Sequence, residues 1–269
     1  MPINKFHVQL ATAYPGVHAV DSGKGNTLRG RIATDGGAKT AYIKLLGIED
    51  IAREAICAVL ARKLHLPMLQ PYYVQVDPTI LSGVRGVRPK NPSNLAFGLE
   101  EELVPYRRVV NQLLDEELQL WPDALRVAAF DEWIFNRDRI PSNLLFAGDH
   151  QFWLIDHDDA LPNYASPEAS SSSQLLQLLR KNKSQLALFR THRSLRKRIE
   201  EYRSIDWNEI LHLLNPHELT GSVSIYGRYI GFLRQRIGHL DSIFSQDLGI
   251  RQQELGFDAS TDRSTKKEL

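Results

Sequence analysis

The chain has 269 residues, 42% of them hydrophobic and 24% charged, and its 33 basic and 32 acidic side chains leave a formal net charge of +1. That length admits one large domain or two units sharing a cleft, and a balance so near neutrality demands neither a nucleic acid nor an acidic membrane as partner. The single cysteine, Cys57, excludes an internal disulfide and lies in the periodic apolar run from Arg53 to Leu64, where a buried thiol is expected. No segment reaches the roughly 18 apolar residues of a membrane span, and the N-terminus lacks a basic stretch followed by an apolar signal core. The expectation is a cytoplasmic chain without membrane insertion.

In chain order, Gly23, Gly25, Gly30, Gly36 and Gly37 punctuate two strand candidates, Thr27–Ala33 and Thr40–Leu45, with Asp35-Gly36-Gly37 as the hairpin turn between them. Past Gly47 the period changes. Ile51, Ala55, Ile56, Val59, Leu60 and Leu64 recur at helical spacing, and Pro67 follows the stop. Tyr72–Val76 is β-like, with Gly83–Val87 as its expected partner, and Asn91-Pro92-Ser93-Asn94 breaks the pattern. From about Glu101 the chain reads as mainly helical. A short helix is expected over Val109–Glu117, then a strongly apolar one through Leu125, Val127, Ala128, Phe130, Trp133, Ile134 and Phe135. Two short strands, Leu144–Phe146 and Phe152–Ile155, are joined by Gly148-Asp149. From Ser170 to Phe244 apolar and basic residues alternate in several helices, interrupted near Asn215-Pro216 and Gly221. Strands with one helix, followed by an all-helical region, imply an α+β chain of two lobes, residues 1–98 and 99–256, with a hinge near Phe97–Glu101. Residues 257–269 are too polar to pack and are expected to form a flexible tail.

The chemistry concentrates between Asp131 and Asp159. Asp138 and Asn143 stand five residues apart in a loop leaving a helix. A phosphoryl-transfer site needs a carboxylate near the incoming hydroxyl and an amide oxygen able to ligate magnesium, and a short ordered loop can aim both at one cleft. Asp156 ends the apolar run Phe152-Trp153-Leu154-Ile155, where a buried strand holds a carboxylate rigidly for a metal that prefers hard oxygen ligands. Asp158 and Asp159 crowd the same segment, as a second ligand, a salt-bridge partner or caps of the next turn. Arg139 is expected to pair with a carboxylate near the loop.

This segment resembles the HipA-like kinases, a branch of the protein-kinase-like superfamily whose loop is also similar to that of phosphoinositide kinases. The matching features are the aromatic-rich helix Phe130–Phe135, then Asn136-Arg137-Asp138-Arg139, Asn143, a short hairpin, and Ile155-Asp156-His157. Related loops often carry His directly after Asp-Arg, where this chain has Ile140. The resemblance implies a two-lobed kinase-like fold with a small β-rich nucleotide lobe and a mainly helical catalytic lobe. It places Asp138 at the catalytic-base position and Asn143 and Asp156 at magnesium-ligand positions, with ATP and Mg2+ as cofactors and a protein serine or threonine as acceptor.

Lys44, in Ala41-Tyr42-Ile43-Lys44, is a candidate contact for the α/β phosphates, and the resemblance supports Glu54 as its ion-pair partner. Glu49 is the rival partner, though its place near the helix start suits the helix dipole. Ser22, Gly23 and Gly25 belong to a stretch that reads equally as a lid over phosphates or an exposed hairpin; it is not a P-loop, because the Gly-x-x-x-x-Gly-Lys-Ser/Thr pattern is absent. In the related toxins a serine of this loop is an autophosphorylation site, and Ser22 is the serine here. Phe97 and Gly98, at the expected hinge, complete the candidate nucleotide residues. No zinc-ligand spacing and no Gly-x-Ser-x-Gly elbow is present. The basic segment from Arg180 to Arg198 reads as a solvated helix face, with nucleic acid or an acidic partner as the alternative. The resemblance to toxin kinases also raises an antitoxin or accessory protein as partner, while a silent nucleotide-sensing module and a small-molecule or lipid-headgroup kinase remain the competing classes.

Overall fold

A computed structural model describes residues 7–20, 26–84, 90–91, 94–101, 107–108, 114–139, 143–219 and 221–250. The N-terminal region is built on strands β1 (Gln9–Ala13), β2 (His18–Ala19), β3 (Thr27–Thr34), β4 (Gly37–Lys44), β5 (Pro71–Gln75) and β6 (Leu95–Glu100), with helices α1 (Ile48–Lys63) and α2 (Pro78–Ser82). The sheet runs β1-β5-β6-β4-β3-β2, and β1 also pairs antiparallel with β3, so the sheet curls back on itself. Its enclosed face is filled by Leu28, Ile32, Ala41, Ile43, Val74 and Ala96. The β3–β4 hairpin forms as the alternating pattern and the Asp35-Gly36 turn predict, closing at Thr34 opposite Gly37. The expected partner of β5, Gly83–Val87, lies outside the described residues from 85 on. Residues 83 and 84 follow α2, whose Asp77 cap accepts from Thr79 N–H at 2.8 Å, and β5 lies instead between β1 and β6. The strand β1, ended by the Pro15-Gly16 turn, lies outside the strands that the sequence pattern predicts.

The C-terminal region contains a small sheet, β7 (Arg107–Arg108), β8 (Leu144–Gly148) and β9 (Gln151–Leu154), and helices α3 (Leu114–Leu120), α4 (Ala124–Trp133), α5 (Gln174–Arg180), α6 (Gln185–Arg203), α7 (Trp207–Leu214), α8 (Ser222–Ile237) and α9 (Leu240–Leu248). The helix expected over Val109–Glu117 begins at Leu114, residues 109–113 lying outside the described ones. The polar tail, 257–269, also lies outside them. Among the described residues no helix is long and apolar enough to cross a membrane.

The two regions share one core. Helix α1 is buried along nearly all of its length, against β5 and β6 on one side and α7 and α8 on the other. Its apolar residues belong to the same cluster as Phe97, Val127, Phe130, Trp133, Leu214 and Leu233. Polar links cross the same boundary: Tyr73 donates to the Leu214 carbonyl at 2.8 Å and lies 2.7 Å from the Tyr226 hydroxyl. Residues 97–100, where a hinge was expected, are strand β6 in the middle of the sheet.

A second buried polar knot ties α4 to α8 and α9. Arg236, fully buried, donates to Glu132 Oε1 at 2.6 Å and to the Pro167 and Ala169 carbonyls at 2.9 and 2.7 Å. Burial lowers its guanidinium to about 10 despite the adjacent carboxylate. Asp247 accepts from the Ser170 hydroxyl at 2.8 Å, while its other oxygen is buried without a hydrogen-bond partner among the described residues. Burial, and then the charge of Glu132, push its carboxyl up to about 6. A carboxyl that holds its proton more tightly folded than unfolded contributes stability at low pH and loses it as the pH rises through the folded value. Asp247→Asn is therefore expected to raise the urea midpoint above pH 7, by on the order of 1 kcal/mol after allowing for partial exposure. It should also flatten the stability profile between about pH 4.5 and 7. An Asn variant less stable than wild type above pH 7 would contradict this account.

Candidate active site

Alternation along β4 turns Tyr42 and Lys44 toward the α1 side of the sheet, with Lys44 opposite Phe97 of the neighbouring strand. The Lys44 ammonium ion-pairs with Glu54, stands 2.8 Å from Asp156 Oδ1 and lies 3.6 Å from Asp158 Oδ1. Burial opposes its charge, but the carboxylates of Glu54 and Asp156 outweigh that penalty and hold it above the usual lysine range. Glu54 is wholly buried. Burial alone would raise its carboxyl; Lys44 and His157 hold it down at about 2. Of the two rivals, Glu54 is thus the partner. Glu49 sits in the first turn of α1, where it accepts from Asn163 at 2.9 Å and Arg228 at 3.1 Å.

The loop bearing Asp138 is built on the end of α4. Phe135 adopts a left-handed φ of 54° and reverses the chain, a conformation costly for a bulky residue and kept here by its surroundings. Asn136 then clips the loop: its amide donates to Asp131 Oδ1 at 3.0 Å and its oxygen accepts from the Asp138 N–H at 3.1 Å. Asn143 donates to Asp138 twice, to the carbonyl at 2.6 Å and to Oδ2 at 2.8 Å. That leaves the Asp138 carboxylate partly exposed and aimed by a neutral donor. Residues 140–142 lie outside the described ones.

Beneath the loop lies Arg139. Its side chain is 1% exposed and its Asp131 partner 0%, a desolvation that only full pairing can offset. Nε and Nη2 grip Asp131 at 2.9–3.2 Å; Nη1 donates to the carbonyls of Asn143 at 3.0 Å and Ile155 at 2.9 Å; Nη2 also meets His157 Nε2 at 2.9 Å. One guanidinium therefore holds the loop, the start of β8 and the end of β9 together. Asp156 follows with φ 64°, a turn that points its carboxylate back to Lys44. The His157 backbone N–H donates to Glu54 Oε2 at 3.1 Å, and burial pushes its imidazole below the ordinary range. Arg53, one residue before Glu54, donates to the Asp158 carbonyl at 2.8 Å.

Oxygens of Glu54, Asp156 and Asp158 lie within 4.8 Å of one another. This hard, anionic donor set is of the kind magnesium takes, and in this arrangement the Lys44 ammonium offsets part of its charge. Asn143 stands at the open end of the β8–β9 hairpin, its carbonyl accepting from Ile155 N–H at 3.4 Å, one residue from Asp156.

The structure thus brings Lys44, Glu54 and Asp156 into direct contact, and Asp138 and Asn143 into another, joined through Arg139. Ser22, Gly23 and Gly25 lie outside the described residues. Phe97 is fully buried beside Lys44 in the sheet, and Gly98 is a packing glycine, since a Cβ there would stand 2.6 Å from Val74. Reading the sequence missed the scope of Asp131, Arg139 and His157. The available signal was a carboxylate pair, Asp131-Glu132, inside an otherwise apolar helical run. The basic segment spans the end of α5, the connection after it and the polar side of α6, where Arg196 and Arg198 pair with Asp241 and Glu201 while the helix buries Leu195, Ile199 and Tyr202.

A family model described as HipA-like kinase matches residues 38–215, a span that includes Lys44, Glu54, Asp138, Asn143 and Asp156. No curated protein matches the chain in sequence. The crystal structure of the proinflammatory kinase CtkA of Helicobacter pylori matches with a TM-score of 0.50 at 10% identity, covering 89% of this chain and 99% of that one. At that identity the likeness is one of fold: α+β, with a β-rich N-terminal region and a helical C-terminal region.

Removing one partner of a buried pair strands the other. Asp131→Asn leaves the Arg139 charge uncompensated and is expected to lower unfolding free energy by about 3–5 kcal/mol in urea denaturation. A loss under about 1 kcal/mol, typical of a surface pair, would show that Arg139 does not depend on this carboxylate.

Proposed function

The chain belongs to the HipA-like kinase family, and from that premise we propose that it transfers the γ-phosphoryl group of ATP, with magnesium, to a serine or threonine hydroxyl of a protein. The observation that carries this reading is the Lys44 ammonium, drawn 112 residues across the sequence to Asp156 while Glu54 anchors it from behind. A lysine held between two carboxylates is charged and pre-aimed at the place where phosphate oxygens would lie. Asp156 would hold the metal, with Asp158 and the side-chain oxygen of Asn143 as further hard donors. Bound there, magnesium supplies charge neutralisation at the phosphates.

The protein's own groups do the positioning. Asp138 accepts the hydrogen bond of the incoming hydroxyl and takes its proton as the oxygen attacks. The Asn143 amide keeps that carboxylate in one rotamer. Glu54 holds Lys44 without itself taking up a proton, since its carboxyl stays ionised far below neutral pH. Catalysis of this kind rests on orientation and electrostatics more than on covalent chemistry by the protein.

With labelled ATP, magnesium and a lysate, the wild type is expected to label a protein or itself. Asp138→Asn should cut that rate by about 10²–10⁴-fold. Labelling that survives the substitution removes Asp138 from its role, and nucleotide binding with no transfer to protein, lipid or metabolite points to a silent nucleotide-sensing module. Calorimetric titration separates base from metal ligand. Asp156→Ala should lose magnesium-supported ATP affinity by roughly tenfold or more, whereas Asp138→Ala should stay near wild type. Equal affinities of wild type and Asp156→Ala in magnesium contradict the assignment.

A further inference from the structure

His157 touches both halves of the site, and its chemistry goes beyond filling space. The side chain is fully buried, edge-on to Phe130 with ring centroids 6.4 Å apart. Its Nε2 lies 2.9 Å from Arg139 Nη2. A guanidinium nitrogen can only donate, so Nε2 must be the acceptor, and a neutral imidazole then carries its proton on Nδ1. Nδ1 stands 3.4 Å from Glu54 Oε2, longer than a well-formed hydrogen bond, with no hydrogen-bond partner among the described residues. The same Glu54 oxygen already accepts from the His157 backbone N–H, and the other Glu54 oxygen binds Lys44. Arg139, for its part, is fixed by Asp131 and by the carbonyls of Asn143 and Ile155.

A continuous polar path therefore runs from the Asp138 loop through Arg139, His157 and Glu54 to Lys44. At Glu54 the link is made by the His157 backbone N–H, which donates at 3.1 Å, with the ring Nδ1 approaching the same oxygen to 3.4 Å. The path joins a residue of the sheet to a loop in the helical region through side chains, the His157 N–H and the Asn143 carbonyl, and His157 is its middle member. An apolar residue at that position would fill the volume and keep the backbone bond to Glu54, but would lose the ring contacts to Arg139 and Glu54.

Building on the phosphotransferase reading above, we infer that His157 is a positioning residue: as the Nδ1-protonated tautomer it sets Glu54, and through it the Lys44 ammonium, relative to the Asp138 loop that Arg139 holds. Its role is to act through Glu54 and Arg139, and it touches no reacting atom.

Two measurements on the full chain test this. Ring nitrogen spectra of the protein labelled at histidine read the tautomer directly, independently of activity. A proton on Nδ1 with an unprotonated, hydrogen-bonded Nε2 is expected, and a proton on Nε2 overturns the inference even if every variant fails to fold. Kinetics supply the second arm, using magnesium-dependent consumption of labelled ATP as the probe. His157→Phe keeps an aromatic ring and the backbone N–H but removes both ring nitrogens; kcat is expected to fall about a hundredfold with KM for ATP within about threefold. His157→Gln, whose side-chain oxygen can reach the Nε2 position and accept from Arg139, is expected to recover about tenfold of that loss at a melting temperature equal to that of the Phe variant. Wild-type kcat in His157→Phe, or a Gln variant no faster than Phe, overturns the inference. A wild type that shows the expected tautomer but consumes no ATP instead sinks the reaction proposed above and supports the linkage by itself.

Discussion

A buried guanidinium must find acceptors for five N–H groups where water does not reach, and Arg139 meets that demand by gathering the site around itself. Asp131 neutralises it, and the Asn143 and Ile155 carbonyls and the His157 ring take the remaining donors. Those acceptors come from the end of α4 and from the β8–β9 hairpin, whose start and end are paired at Leu144 and Leu154. Satisfying one charge therefore sets their mutual spacing. The loop bearing Asp138 and the turn bearing Asp156 are placed by the same requirement, because neither segment can shift without stranding a donor in the core.

Helix α1 performs the corresponding task for the sheet. Its apolar residues belong to the cluster that also contains β6, α4, α7 and α8, so the sheet and the helices are not free to find separate minima. Within that apolar surface Glu54 is wholly buried, a placement that is tolerable only because Lys44 and His157 compensate it from opposite sides. Lys44 then faces two further carboxylates, Asp156 and Asp158, across the region boundary. Of this acidic cluster only Glu54 is buried; Asp156 and Asp158 keep part of their hydration, and Lys44 offsets part of the summed negative charge.

Of the ten non-glycine residues with a left-handed φ among the described ones, two belong to the site's own loops. Phe135 reverses the chain ahead of Asp138, and Asp156 turns its carboxylate toward Lys44 after β9. Cation contacts from Arg137 and Arg236 on Phe135, each 4.7 Å from the ring centroid, show how that conformation is held.

Much of this was legible in the amino-acid order alone. Alternation marked the β3–β4 hairpin, a period of 3.6 marked α1, and the order of Asp138, Asn143 and Asp156 marked polar groups that the fold gathers around Arg139 and Lys44. These are local properties: period, turn residues and short separations are written in consecutive positions. What tertiary structure alone decided lies at long range. The sequence could not show that β1 closes the sheet beside β5. Nor could it show that Asp131, Arg139 and His157 form one buried knot, or that a common core crosses position 98. Each of those outcomes is a matter of which groups must share a dry interior, and burial is a property of the packed chain as a whole. A charged residue in an apolar run announces that it needs a partner; only the fold says which one it finds.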